Sequence, residues 1–412
     1  MTTLTWATVC LMVYASSLID LPRLVRLGPV SGFGMLTLFY NFCVLLLWGL
    51  APSLTGRLLS TTWLLCLFLL WGSVSLAWCP SLGLGFQNLA VMTAFVGAML
   101  LCSRESYRSP WFRAKVQKSF ARSAAFSMAL YAIGLVIAVF GAEPIVSGRA
   151  FALFALIGLA YHLSAWRYGA KRALLWAAVI TVFIGFSLSR MAFVAALVLF
   201  PLAQRPSKGA RELARVAIWL VLVATAGYTA ITYAEPLHDR FFSGDMSLEI
   251  GGVRFNASGR TVFWKATVNS YMESWLFGKG AGSSEVLVQT SFVDIDHPHN
   301  DYLRILHDYG LVGLVLWLSG MCALLWHVGR AWIRADRLNF SEAPLHLSAF
   351  LVLVAVSLVM TSDNPIVYIY IMGPAGALVG TSLGAKMARR AARPSFIAST
   401  PSCAHALPGA VE

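Results

Sequence analysis

Three histidines, two aspartates, an arginine and an asparagine crowd into the fourteen residues His297–Gly310, HPHNDYLRILHDYG, of a chain that is 58% hydrophobic. Two arginines elsewhere are as conspicuous. Arg190 ends SLSR inside the apolar run TVFIGFSLSRMAFVAALVLF, and Arg260 ends Asn-Ala-Ser-Gly-Arg at the head of an amphipathic stretch. A charge at the boundary of an apolar segment is costly unless it snorkels to headgroups or has a partner, so Arg190 is a functional candidate. The guanidinium fork matches phosphate oxygens, which points these arginines at a phosphate or diphosphate. Histidine beside them suits proton transfer near neutral pH. No dense carboxylate cluster marks a divalent-metal site. A metal pair of His297 and His299 lacks a third ligand at suitable spacing, so no metal and no cofactor is expected. Arginine alone can stabilise a diphosphate leaving group. Arg149 and Asp363 are supporting candidates, Asp363 as an orienter of His299 or a partner for an arginine. Each of these residues also has a plain structural reading. His299 and Asn300 can cap an interfacial helix, Arg190 can snorkel, and Asp363 can shape the turn TSDNP.

The elements that must position this set are membrane spans. Mean hydropathy is +0.72 and charged residues make up 12% of the 412, too few for the surface of a soluble protein. Apolar runs near twenty residues recur, each able to cross a hydrocarbon core of roughly 30 Å. The expected fold is all-α and integral to the membrane, with about twelve spans: 4–19, 31–50, 60–78, 84–102, 123–142, 150–165, 173–189, 191–204, 216–234, 310–329, 345–362 and 366–384. The formal net charge of +13 is then topological rather than a sign of nucleic acid. With both termini cytoplasmic, twenty-one of the thirty-one basic residues fall in cytoplasmic loops, as the positive-inside bias requires. Arg23 and Arg26 oppose that placement. The seven cysteines have no paired spacing, and most sit in apolar runs as small hydrophobes. The first segment reads as a retained span rather than a signal peptide.

Residues 1–393 then form one transmembrane domain. Its long outer loop, 235–309, holds ten acidic residues, and 394–412 is a Ser/Pro/Ala-rich tail expected to be disordered. Within the loop, FWKATVNSYMESWLFG has helical spacing of its apolar residues, with Ser258 as a possible cap. Such a helix either lies on the membrane surface or packs on the bundle end. The Gly/Ser run KGAGSSE terminates it, and GKGAG is too irregular for a phosphate-binding loop. A second helix is expected to start near Pro298 or His299, with Asn300, Asp301 and Arg304 in its first turns and His299, Leu303 and Leu306 on one face.

Three local patterns, in order, resemble the bacterial O-antigen ligase and O-antigen/exopolysaccharide polymerase superfamily. They are SLSR at Arg190, SGRTVFWKA around Arg260 followed by LFGKGAGSS, and His299-Asn300 followed after nine residues by Gly310-x-x-Gly313. The resemblance implies a metal-independent, inverting, C-type glycosyltransferase-like enzyme of the bacterial inner membrane, with its active site facing the periplasm. His299 matches the catalytic histidine, and Arg190 and Arg260 match arginines that hold undecaprenyl diphosphate. A glycan passes from the undecaprenyl-diphosphate-linked donor to a glycan or lipid-linked acceptor, and membrane lipids and chain-length-regulator or flippase proteins are the implied partners. The compact loop, with little basic surface for a phosphorylated core, leans toward polymerase. Ligation to lipid A-core is the alternative. A twelve-span transporter is the rival class. It fits less well, because no two halves match and the polar set lies at the outer surface rather than the midplane.

Overall fold

In the computed structural model, residues 2–19, 21–27, 30–49, 56–141, 146–204, 210–245, 248–250, 253–292 and 297–391 are described. The tail after 394, and Asp294 and Asp296 of the long loop, lie outside them. The first half of the chain forms α1 (Thr2–Ser16), α2 (Gly32–Gly49), α3 (Gly56–Ser75), α4 (Leu82–Arg108), α5 (Pro110–Val139), α6 (Gly148–Arg167), α7 (Lys171–Phe186), α8 (Arg190–Ala203) and α9 (Ala210–Tyr233). The long loop contributes three short helices, α10 (Glu235–Phe242), α11 (Arg260–Tyr271) and α12 (Ser283–Ser291). The chain then returns to the bundle with α13 (Asp301–Arg337), α14 (Ala343–Val359) and α15 (Ile369–Ala391). Two small antiparallel ribbons were not anticipated: β1 (Arg26–Leu27) with β2 (Val30–Ser31), and β3 (Leu248–Ile250) with β4 (Val253–Phe255).

A helix overlies each of the twelve apolar stretches. By length and hydropathy five helices among the described residues can cross a membrane: α3, α4, α5, α6 and α13. A sixth counts if α9 and α10, bent by 90° at Ala234, form one broken span. Four further helices are apolar but shorter. The sequence pattern marked apolar segments correctly, whereas the lengths of the helices set a stricter standard.

The bundle's tightest seam joins α4 to α15. Gly376, Gly380 and Gly384 recur every four residues on α15, and each faces a carbonyl on α4. A Cβ on any of them would stand 2.2–2.3 Å from the oxygen of Phe95, Met99 or Ser103. Small residues let two backbones approach this closely. The Ser103 hydroxyl donates to Gly380 O at 2.9 Å, and Ser106 donates to Thr381 O at 2.6 Å. Helix α6 lies inside the bundle, apolar nearly all round and buried from Ala150 to Ala160. It therefore supplies a rigid post with Arg149 at its head.

A second joint ties the long loop to the bundle. Residues 275–280 run beside α13 where that helix is broken. Lys279 and Gly280 N–H groups donate to the carbonyls of His307 and Asp308, both at 2.9 Å, and Leu311 N–H donates to Trp275 O at 2.9 Å. Gly310 makes this possible. Its φ is +69° and ψ −171°, so α13 kinks there, and a Cβ at 310 would lie 2.2 Å from Leu276 O. Asp308 accepts from the backbone N–H groups of Gly282 and Ser284, at 3.1 and 2.7 Å, and so caps α12. LFGKGAGSS and HN-x9-GxxG are thus the two halves of one joint.

Gly310→Ala should lower stability by about 3 kcal/mol, because it combines left-handed strain with a backbone collision. Thermal unfolding of the purified protein in detergent checks this, and an unchanged Tm would show the joint to be unstrained.

Candidate functional site

Four helix starts and one turn meet at one end of the bundle. Ser147 caps α6 by accepting from Ala150 N–H at 3.2 Å, which places Arg149 in the first turn. The α7–α8 turn passes through Leu188 at φ +55°, and no side chain caps α8, which opens on Arg190. Helix α11 also begins without a side-chain cap. Asn256, whose side-chain oxygen accepts from Ser258 N–H at 2.9 Å, forms the turn before it. Ser258 and Gly259 then take left-handed φ angles of +51° and +73° and deliver Arg260 to the first helical position. Helix N-termini carry partial positive charge and favour anions.

These elements enclose a cavity of about 280 Å³, lined by Arg149, Arg190, Arg240, Arg260, the Ser187–Met191 turn, Ser362 and Asp363. Asp363 is the only carboxylate among the lining residues, against four guanidinium groups. Arg149 engages it closely: Nε donates to both carboxylate oxygens at 2.9 Å, and Nη2 also reaches Oδ1. Asp363 is buried at 3% exposure and also accepts from Asn364 N–H at 2.7 Å. Arg190 is held by the loop. It donates to the Asn256 and Arg240 carbonyls and, at 2.9 Å, to the Ser258 hydroxyl. Ser258 is therefore a tie for Arg190 rather than the expected cap. Arg260 has no hydrogen-bond or ion-pair partner among the described residues. Burial, ahead of repulsion from Arg190, Arg149 and Arg240, pulls its pKa down to about 10, with Asp363 opposing. It stays cationic at neutral pH.

His299 does not sit on a helix. Helix α13 starts at Asp301, with Asn300 as its N-cap accepting from Leu303 N–H at 3.0 Å. The expected start near Pro298 or His299 is thus two to three residues early, and the shared face with Leu303 and Leu306 does not exist. His299 instead takes φ +54°, which turns its ring toward the cavity wall. Its Nδ1 lies 2.8 Å from Arg149 Nη2 and 2.9 Å from Asn364 Nδ2. Arginine only donates, so Nδ1 accepts and the neutral ring carries its proton on Nε2. Burial, then the charges of Arg149 and Arg260, push the His299 pKa down to about 3. This imidazole is a neutral hydrogen-bond donor at Nε2.

The other sequence candidates divide. Arg149 meets His299 directly and Asp363 acts on it through Arg149, and Arg190 and Arg260 face the same cavity. Asn300 is a cap. Asp301 and Arg304 lie beneath, fully buried. Asp301 accepts from Ile366 N–H at 2.9 Å, which fastens α13 to the α14–α15 turn. Arg304 reaches His297 Nδ1 at 2.5 Å and Glu285 at 3.8 Å. His297 and His299 therefore face different partners and form no metal pair. Among the described residues no group of three or more metal-ligating side chains converges. His307 is buried between Ser270, Ser283 and Asp308. Arg240 and Asn364 were missed. Each occurs in an ordinary context, and only the fold brings them to the cavity. Helix α11 packs on the protein through Phe263, Thr267 and a Trp264–Pro298 hydrogen bond of 2.9 Å, with Val262, Val268 and Met272 left exposed.

An apolar helical bundle with an arginine-lined cleft at one end defines an integral membrane protein. Residues 173–318, from α7 into α13, match the family model of the O-antigen ligases. That segment carries Arg190, Arg260, His299, Gly310 and Gly313, and the match agrees with the resemblance of the motifs to the ligase and polymerase superfamily. It implies a glycan-transferring enzyme of O-antigen or polysaccharide assembly, acting on lipid-linked glycans. No curated protein matches the chain.

Removing Arg260 relieves repulsion without breaking a contact, so Arg260→Ala should leave Tm unchanged or raise it. Arg149→Ala strands the buried Asp363 and should cost about 2 kcal/mol. Thermal unfolding of the two variants ranks them, and the reverse order would remove the case for a strained cationic cleft.

Proposed function

We propose that the protein transfers a glycan from an undecaprenyl-diphosphate-linked donor to an acceptor hydroxyl at the periplasmic face of the bacterial inner membrane. The observation that carries this reading is the cleft itself: four guanidinium groups and one carboxylate, with Arg260 unpartnered. A diphosphate supplies the missing negative charge and takes up a bidentate donor set. Arg190, Arg240 and Arg260 hold it, while Arg149, fixed by Asp363, aligns it with His299. The twelve apolar helices are read as twelve spans with both termini cytoplasmic, which places the cleft outside.

The chemical step is an inverting displacement. The acceptor oxygen bonds to the anomeric carbon, and the carbon–oxygen bond to the diphosphate breaks with its electron pair leaving on undecaprenyl diphosphate. The arginines stabilise the charge that develops there, so the reaction needs no metal. The acceptor proton goes to His299. That role requires the other neutral tautomer, with the proton on Nδ1. An arriving diphosphate competes for Arg149 Nη2 and offsets the charges that depress the histidine. Nδ1 then takes the ring proton and Nε2 becomes the base.

Two acceptors fit. The compact loop favours a lipid-linked repeat unit and hence polymerisation of O-antigen or exopolysaccharide. The family description favours lipid A-core and hence ligation. A deletion strain separates them: single repeats left on carrier or core mean a polymerase, and long chains stranded on undecaprenyl diphosphate mean a ligase.

His299→Ala should abolish transfer in a purified system while the protein remains inserted and folded. Full activity in that variant would sink the mechanism. Because kcat/KM reports the free enzyme, and His299 is already neutral above its depressed pKa of about 3, the acidic limb should carry no inflection near pH 6.5. A limb at pH 6–7 matched by titration of the His299 ring in the same range, followed by NMR, would contradict the assigned tautomer.

A further inference from the structure

A second cavity, larger than the arginine cleft, lies elsewhere in the bundle. It has a volume of about 750 Å³ and lies between the last turns of α13, the following loop to Phe340, the start of α14 and the end of α15. Helix α13 runs from the His299 end to this cavity. At 1.5 Å per residue, the unbroken part of that helix from Leu311 to Arg330 spans roughly 30 Å, so the two sites occupy opposite faces of the bundle.

Six cations line the cavity, Arg330, Arg334, Arg337, Lys386, Arg389 and Arg390, and no carboxylate does. The nearby acids are already engaged, and among the described residues Arg389 is the one lining cation that they pair with. Glu342 takes Arg113 at 3.3 Å and Arg389, and Asp336 takes Arg167 at 3.1 Å and the Tyr168 hydroxyl at 2.8 Å. Among the described residues Arg330, Arg334, Arg337 and Arg390 have no carboxylate within 4 Å. Lys386 is half-buried, and its ammonium group meets only the ring nitrogen and carbonyl of His327, both at 3.2 Å.

Solvated arginines at a span end need no ligand, and the positive-inside bias alone places many there. Here the cations converge on a cavity whose other wall is apolar. Trp326 and Leu338, on its rim, are 60% and 47% exposed, and Arg330 lies over the Trp326 ring at 4.7 Å. A phosphate among the guanidiniums with hydrocarbon against the rim satisfies both halves. We infer that this cavity binds the phosphate headgroup of an anionic diacyl lipid in the leaflet opposite the arginine cleft. Basic pockets between membrane helices recognise such headgroups by charge and by burial of the adjoining chains.

Native mass spectrometry of the delipidated full-length protein in detergent tests this, with cardiolipin, phosphatidylglycerol, phosphatidylethanolamine and inorganic phosphate as separate probes. The anionic lipids should bind at least about tenfold more tightly than phosphatidylethanolamine, at about fivefold per cation removed. Arg330→Gln/Lys386→Gln/Arg390→Gln should erase that preference, and Arg260→Gln in the other cleft should retain it. Should the triple variant fail to fold, Arg330→Gln alone, at an exposed side chain, should still lower anionic-lipid affinity by about fivefold. Undiminished anionic-lipid binding in these variants overturns the assignment. So does displacement of the lipid by inorganic phosphate at equal concentration, which would make the cavity a site for free phosphate.

Discussion

The pairing of Arg149 with Asp363 is the interaction on which the site end of the protein depends. One partner heads α6, a helix buried from Ala150 to Ala160, and the other sits in the turn between α14 and α15. Together they bind two distant parts of the chain and fix the Arg149 nitrogen that meets His299. Burying a carboxylate is expensive, and a close guanidinium plus a backbone N–H offset that cost. Asp301, from the level below, holds the same turn through Ile366. Two buried carboxylates thus fasten the α14–α15 turn against α6 and α13, and the cleft forms above them.

Around that anchor the charges are arranged against stability. Four arginines share a cavity with one carboxylate, and the long loop supplies two of them, Arg240 and Arg260. What keeps the loop in place is the joint at Gly310, where backbone hydrogen bonds replace those lost at the kink. Arg190 adds a tie to the loop carbonyls. The fold therefore spends backbone geometry to hold like charges near one another, as expected where an anion is to be bound.

Much of this was legible in the sequence, because membrane proteins make polar residues conspicuous. Arg190 and His299 stood out against apolar surroundings, and Arg260 stood out by its motif. The apolar segments were visible as segments, since each is near the length a helix needs. Other features were hidden for identifiable reasons. Arg240 and Asn364 are ordinary loop residues until folding brings them to the cavity. The start of α13 is misplaced because Pro298 is acceptable in a first turn; the capping reading of Asn300 holds, but nothing local announces that His299 adopts a left-handed φ. The depressed pKa of His299 is a property of its neighbours from α6 and the α14–α15 turn, so no reading of HPHNDYLRILHDYG alone supplies it.

The unpartnered Arg260 has one more consequence. Helix α11 meets the cleft through a cation that contacts no counter-charge among the described residues, while the loop's opposite margin is bolted down at Gly310. The loop is therefore fixed on one side by backbone hydrogen bonds and held on the other by the Arg190 tie, to which Arg260 adds nothing. A bound diphosphate would add a second tie, bridging loop arginines to those of α6 and α8, and its departure after transfer would leave Arg190 to hold that margin. Entry of donor and exit of spent carrier would then follow from the same electrostatic clasp, closing on a charged lipid and loosening when the charge is gone.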